Sequence, residues 1–132
     1  SLADNIDQIV GAGTEIGPGS LWLFEAPAGT AGGDLREIIQ RASAKARPDV
    51  PGAWIGAAAA DGKLALVAVV NKAGQEHGLT AKDLLAATLP AVDGRGGGKP
   101  DVAQGGGTNP AGLSEGFEAA RETVRQHWGA PA

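Results

Sequence analysis

Apolar positions recur along this chain with two periods, and the switches between them mark out its elements. Leu2, Ile6, Ile9 and Val10 fall at i, i+4, i+7 and i+8, which predicts a helix over 2–10 that Gly11 and Gly13 stop. Gly17-Pro18-Gly19 is turn material. Ser20 to Ala26 then alternates, with Leu21, Leu23 and Glu25 on one face and Trp22 and Phe24 on the other. Both faces carry apolar groups, so this strand is expected to be covered on both sides. The period returns to helical over 34–47, where Leu35, Ile38, Ile39, Ala42 and Ala46 form one stripe. Asp34 is the expected N-cap, and Pro48 ends the helix because the residue before a proline resists helical angles.

Two short apolar runs, 53–60 and 63–70, flank Asp61-Gly62, a strong hairpin signal. The first run is rich in Ala and has no strand preference of its own; the turn decides it. Asn71 to Gly78 reads as a polar loop. Thr80 opens a helix whose apolar face is Leu84, Leu85 and Leu89, and Pro90 kinks or ends it. Asn109 and Pro110 resemble an N-cap and first-turn proline for a last helix carrying Leu113, Phe117, Ala120, Val124 and Trp128, closed by Gly129 and Pro131. This order predicts an α/β fold: a single small mixed β-sheet of about four to five strands with helices packed on it.

Composition narrows the picture. Of 132 residues, 22 are Gly and 26 are Ala, so the 42% hydrophobic content supplies material for one modest core. No apolar run approaches the ~18 residues of a membrane span, and no signal peptide is recognisable. There is no Cys, which removes disulfides, thiolate metal sites and a thiol nucleophile. There is no Met either, so the chain is expected to be an excised piece of a longer protein. The net charge of −4 offers no bulk attraction to nucleic acid, and such binding needs a local patch.

The candidate chemistry lies in Gly94 to Gly107, where half the residues are glycine around a short strand expected at Asp101 to Gln104. Glycine costs conformational entropy on folding. One explanation is close backbone approach to a ligand, with N–H groups forming an anion-binding nest beside Arg95 and Lys99. The other is a solvated loop. A P-loop is excluded because Pro100 follows Gly98-Lys99 where Ser or Thr is required. A dinucleotide loop is excluded because Ile16 stands where the third glycine after Gly11 and Gly13 belongs. His77 and His127 lack a ligand-spaced carboxylate cluster, and the serines lack a nucleophile elbow; neither a catalytic residue nor a metal ligand is assigned. Arg36, Arg41, Lys45 and Arg47 read as a solvated helix face, and the three Trp as core or cap.

Gly94 to Thr108, G-R-G-G-G-K-P-D-V-A-Q-G-G-G-T, resembles the signature near the C-terminus of bacterial alanyl-tRNA synthetases. That family typically has Arg-Pro-Asp-Met-Ala-Gln where this chain has Lys99-Pro100-Asp101-Val102-Ala103-Gln104. The resemblance spans roughly residues 19–127 and extends to the related domain that accompanies DHH-type phosphoesterases. It implies a globular C-terminal tRNA-binding domain over 14–132, with 1–13 as the end of an upstream linker or oligomerisation helix. Such a domain contacts the tRNA elbow and helps couple aminoacylation with editing in a cytoplasmic ligase that uses ATP, Mg²⁺ and Zn²⁺. None of these cofactors is expected in this piece, which should be non-catalytic by itself. The implied partners are tRNA, the remaining synthetase domains and a second copy through the upstream helix, with no membrane. The implied RNA-binding residues are Lys72, Arg95, Gly96, Gly97, Gly98, Lys99 and Gln104. For Gln104, bonding to a base and tying down the loop are both open. Two other functions fit the same residues: the substrate-binding domain of a DHH-type phosphoesterase and an oligomerisation module.

Overall fold

A computed structural model describes residues 1–129. The elements run α1 (Leu2–Val10), β1 (Thr14–Ile16), β2 (Gly19–Glu25), α2 (Gly32–Ala44), β3 (Gly52–Ala60), β4 (Lys63–Val70), α3 (Lys72–Glu76), α4 (Ala81–Thr88), β5 (Gly94–Gly98), β6 (Val102–Gly107) and α5 (Leu113–Trp128). Short 3₁₀ turns at Pro90–Val92 and Pro110–Gly112 precede β5 and α5. Six strands form one sheet in the order β1-β2-β3-β4-β6-β5. Only β2 and β3 are parallel, joined across α2; every other neighbouring pair is antiparallel.

The mixed α/β sheet is as expected, with six strands instead of four to five. The two extra strands are β1, three residues long, and β5, Gly-Arg-Gly-Gly-Gly. A strand made of glycine carries no alternation, so pattern alone could not find it.

Alternation puts apolar groups on both faces of the central strands, as the residues of β2 required. Leu21, Ala53, Ile55, Leu66, Ala68 and Val70 face α4 and α5, where they meet Leu84, Leu85, Val124 and Trp128. Phe24, Trp54, Ala58, Val67 and Val69 face α2 and α1, against Leu35, Ile38, Ile39, Ile6 and Ile9. Three layers result, helix–sheet–helix. Trp22 and Trp54 are register partners across the parallel pair, and their rings stack with centroids 4.5 Å apart.

The β3–β4 hairpin turns on Asp61 and Gly62, whose φ values of 52° and 76° are the left-handed pair that a two-residue turn demands. That geometry commits the Ala-rich run to β3. Two helix starts differ from expectation. Helix α2 begins at Gly32 with Ala31 at its N-cap and no side-chain capping bond, so Asp34 lies inside the first turn, where its charge still suits the helix dipole. At the last helix, Pro110 opens a 3₁₀ turn, and the Asn109 amide donates to the Ala91 carbonyl instead of capping α5. Gly129 closes α5, while Pro131 lies outside the described residues.

The expected polar loop at 71–78 contains α3, and Asn71 builds it. Its Oδ1 accepts from Gly74 N–H at 2.9 Å as the N-cap and from Gly52 N–H at 2.8 Å at the start of β3. Its Nδ2 donates to the Val50 carbonyl at 2.9 Å. One side chain therefore ties the end of β4, the start of β3 and α3 together. Asn71→Ala removes a cap and leaves part-buried groups without partners, so a loss of about 2 kcal/mol is expected in chemical denaturation. Asn71→Asp, which keeps both acceptor bonds, should lose about half as much; equal losses would refute the role assigned to the cap.

Candidate nucleic-acid interface

The glycine-rich signature folds into the β5–β6 hairpin at one edge of the sheet. This settles what most of its glycines do. A Cβ on Gly96 would lie 2.5 Å from the Gln104 carbonyl oxygen and from Gly105 Cα. On Gly105 it would lie 2.5 Å from the Arg95 carbonyl oxygen, and on Gly107 the same distance from that of Val92. Gly96 and Gly105 let strand approach strand, and Gly107 lets β6 approach the 3₁₀ turn at Val92. Gly97 differs: a Cβ there would meet nothing within 4 Å, so its backbone is open to a ligand.

Register decides which way the hairpin's polar groups face. Gly97 pairs with Gln104, and Gln104 pairs with Val67 on its other side. Val67 belongs to the core under α2, so Gln104 is on that face of the sheet. Side chains two residues apart share a face, which puts Arg95 there too, and by the same count Lys63 on β4. Gln104 receives a hydrogen bond from the Arg36 guanidinium of α2, bridging helix and sheet edge.

The turn joining β5 to β6 completes a trough. Arg36 and Gln40 form one wall, and Gly97, Gly98, Lys99, Asp101, Val102 and Gln104 form the other, around about 340 Å³. Gln40, Asp101 and Val102 also line the adjoining recess, which continues to Ser43, Asn71, Lys72 and Gln75. Of the residues expected at the site, Lys72, Gly97, Gly98, Lys99 and Gln104 thus share one continuous depression. Arg95 lies in a neighbouring recess with Lys63, Asp93 and Thr108. Gly96 lines neither; the contact that excludes a side chain there comes from β6.

The electrostatics of this region differ from the rest of the surface. Arg41, Arg47, Arg121 and Arg125 each pair with a nearby carboxylate, on Glu37, Asp49, Glu118 and Glu122. Among the described residues seven Lys and Arg form no ion pair; five of them, Arg36, Lys63, Lys72, Arg95 and Lys99, line the depression or the recess beside it, and Lys45 and Lys82 line neither. Asp101 is the acid in the trough, and its carboxylate braces the turn by accepting from Val102 N–H at 3.0 Å. A chain of net charge −4 therefore gathers most of its unpaired cations along one sheet edge.

The histidines stand apart from this surface. His77 Nδ1 donates to the Ala73 carbonyl, and His127 Nδ1 to that of Thr123. Trp54 and Trp128 are buried, so core is the right reading for them. Sequence reasoning missed Arg36, Gln40 and Lys63. Arg36 and Gln40 stand four apart beside the apolar stripe of α2, a spacing that lines up two polar groups along the margin of the buried face. Lys63 gave no signal beyond the start of a strand.

The model of the DHHA1 domain family matches residues 20–127, most of the chain and all of the sheet but β1 and the first residue of β2. The chain belongs to the DHHA1 domain family. This is the family that the glycine signature pointed to. The DHHA1 chain is 40% identical over 101 residues to an alanine–tRNA ligase of Nocardia farcinica, covering 76% of the chain and 11% of that protein. It therefore spans about a tenth of the length of that relative. Its fold is similar to that of the C-Ala domain of Aquifex aeolicus alanyl-tRNA synthetase, with a TM-score of 0.73 and 23% identity over 86% of this chain and 97% of the other. The fold is also similar to part of Thermus thermophilus RecJ, with a TM-score of 0.55 and 12% identity over 95% of this chain and 17% of the other. Among the described residues, no helix of the DHHA1 domain is long and apolar enough to cross a membrane.

Proposed function

We propose that this DHHA1 domain is the tRNA-binding accessory domain of a cytoplasmic alanine–tRNA ligase. In this reading it holds the elbow of the tRNA, so that aminoacylation and editing by the rest of the enzyme act on one bound molecule. The observation that carries the reading is the concentration of unpaired Arg36, Lys63, Lys72, Arg95 and Lys99 around an open trough on an otherwise acidic chain. Folded RNA is recognised largely by shape, through phosphate and 2′-OH contacts. A shallow, donor-rich depression suits that task better than it suits a small molecule enclosed on all sides. The likeness to alanine–tRNA ligases supplies the class of RNA. Steps that need ATP, Mg²⁺ or Zn²⁺ fall, on this reading, to the remainder of the ligase.

The test is a titration of alanine tRNA, an unrelated tRNA and a linear single strand against the wild type and an Arg95→Ala, Lys99→Ala double variant. Both side chains are exposed, so the melting temperature of the double variant should stay within a degree or two of the wild type. Its tRNA affinity should fall about tenfold at low salt. The slope of log affinity against log salt should shrink by about 1–2, as expected for one or two lost phosphate contacts. An unchanged slope would remove these two residues from the interface. Equal binding of the linear strand and both tRNAs would favour the substrate-binding role of a DHH-type phosphoesterase.

A further inference from the structure

The bond between Arg36 and Gln104 determines what Gln104 can offer a ligand. A carboxamide has one acceptor end and one donor end, and a guanidinium has donors only. The oxygen of Gln104 must therefore turn to Arg36, and Arg36 Nη1 donates to Gln104 Oε1. That leaves the Nε2 hydrogens outside the bond to α2. Among the described residues no acceptor engages them, and both side chains are exposed at the mouth of the trough.

From this arrangement we infer that Arg36 is a positioning residue that fixes the Gln104 carboxamide as a donor toward an uncharged acceptor on an RNA base edge. The inference rests on the tRNA-binding reading above. It resolves the two roles that Gln104 could have: the same side chain is tied down at its oxygen and presents its nitrogen. Gln104 sits opposite Gly97, the glycine with open space above its backbone, so a base can approach this end of the trough without meeting a side chain on β5.

The chemistry separates this pair from its cationic neighbours. Lys99 and Arg95 suit phosphate, and phosphate contacts release counterions, so their contribution fades as salt rises. A neutral amide bonded to a neutral base acceptor releases none, so its contribution persists at every salt concentration. With one lone pair of its oxygen already taken by Arg36, Gln104 offers a base chiefly its Nε2 hydrogens. The site therefore favours acceptors on the base edge.

The experiment is a double-mutant cycle on the full chain, with Arg36→Ala, Gln104→Leu and the two combined, titrated with an alanine tRNA transcript at four salt concentrations. Melting temperatures are measured alongside and should not move. Each single variant is expected to lose about tenfold in affinity, and the double variant the same tenfold, because the two changes break one unit. All salt slopes should match the wild type. Losses that multiply to about a hundredfold, with a slope smaller by ~0.7–0.9 for Arg36→Ala, would make Arg36 an independent phosphate contact and overturn the inference. So would wild-type binding by Gln104→Leu. If the wild type binds and the Arg95, Lys99 variant is weakened while Gln104→Leu is not, only the inference falls. If the wild type itself fails to bind, the tRNA reading falls first.

Discussion

Trp54→Ala should destabilise the domain by about 4 kcal/mol, measured as a shift in the denaturant midpoint at unchanged m-value. Trp54 is 1% exposed and is among the largest fully buried side chains. It occupies the α2 side of the sheet, with its ring end beside Gly52, where a Cβ would lie 2.4 Å away. Truncation removes that packing and leaves a cavity that the rigid strand pair cannot close. It also removes the offset partner of Trp22, and an aromatic pair contributes about 0.5–1.5 kcal/mol beyond area burial. A loss near 4 kcal/mol is a large part of the ~5–15 kcal/mol that holds a typical domain folded. Trp54→Phe keeps a ring over Trp22 and should cost about half as much. A loss below about 1.5 kcal/mol for the alanine variant would mean that the stack does not hold β2 against β3.

The second large effect separates the two kinds of glycine in the hairpin. Gly105→Ala places a methyl group 2.5 Å from the Arg95 carbonyl oxygen and 3.0 Å from Gly96 Cα, both backbone atoms that cannot rotate away. β5 is the outermost strand and pairs only with β6, so the strain should be relieved by β5 leaving the sheet. Arg95, Gly97 and Lys99 would lose their places, and tRNA affinity should fall by more than tenfold. The central sheet would remain, because β3, β4 and the Asn71 tie do not depend on β5. Amide hydrogen exchange should show Gly94–Gly98 unprotected while β3 and β4 stay protected. Gly97→Ala adds the same methyl group in open space and should leave stability within ~0.5 kcal/mol. Protected β5 amides in Gly105→Ala would show that the strands have room, and the account of these glycines would fail.

Much of this architecture was legible in the chain. The alternation in β2 announced a sheet covered on both faces, and Asp61-Gly62 settled a run of alanines that has no strand preference of its own. The stripes of α1, α2, α4 and α5 bury most of the residues expected, from Ile6 and Ile9 to Val124 and Trp128, but Val10 at the end of α1 is 45% exposed. These signals work because each rests on local geometry, a period or a left-handed turn, that residue type restricts directly. Asn71 was visible as a residue but not as a cap, because two of its three partners, Gly52 and Val50, lie about twenty positions away.

The site was legible in kind and not in arrangement. Seven glycines in one stretch pointed to close backbone approach, but the approaching partner is, for Gly96, Gly105 and Gly107, the chain itself. Arg36 read as one more charge on a helix. It belongs to the site because the route from β2 through α2 to β3 lays that helix along the sheet, within reach of a strand 68 positions later. The elements, the two-sided core and the family signature are written in spacing and residue type along the chain. Tertiary contacts settle which cations stay unpaired, which hairpin glycine stays open and which partner the Gln104 oxygen takes. Those depend on contacts between segments far apart in the chain, and no local pattern encodes them.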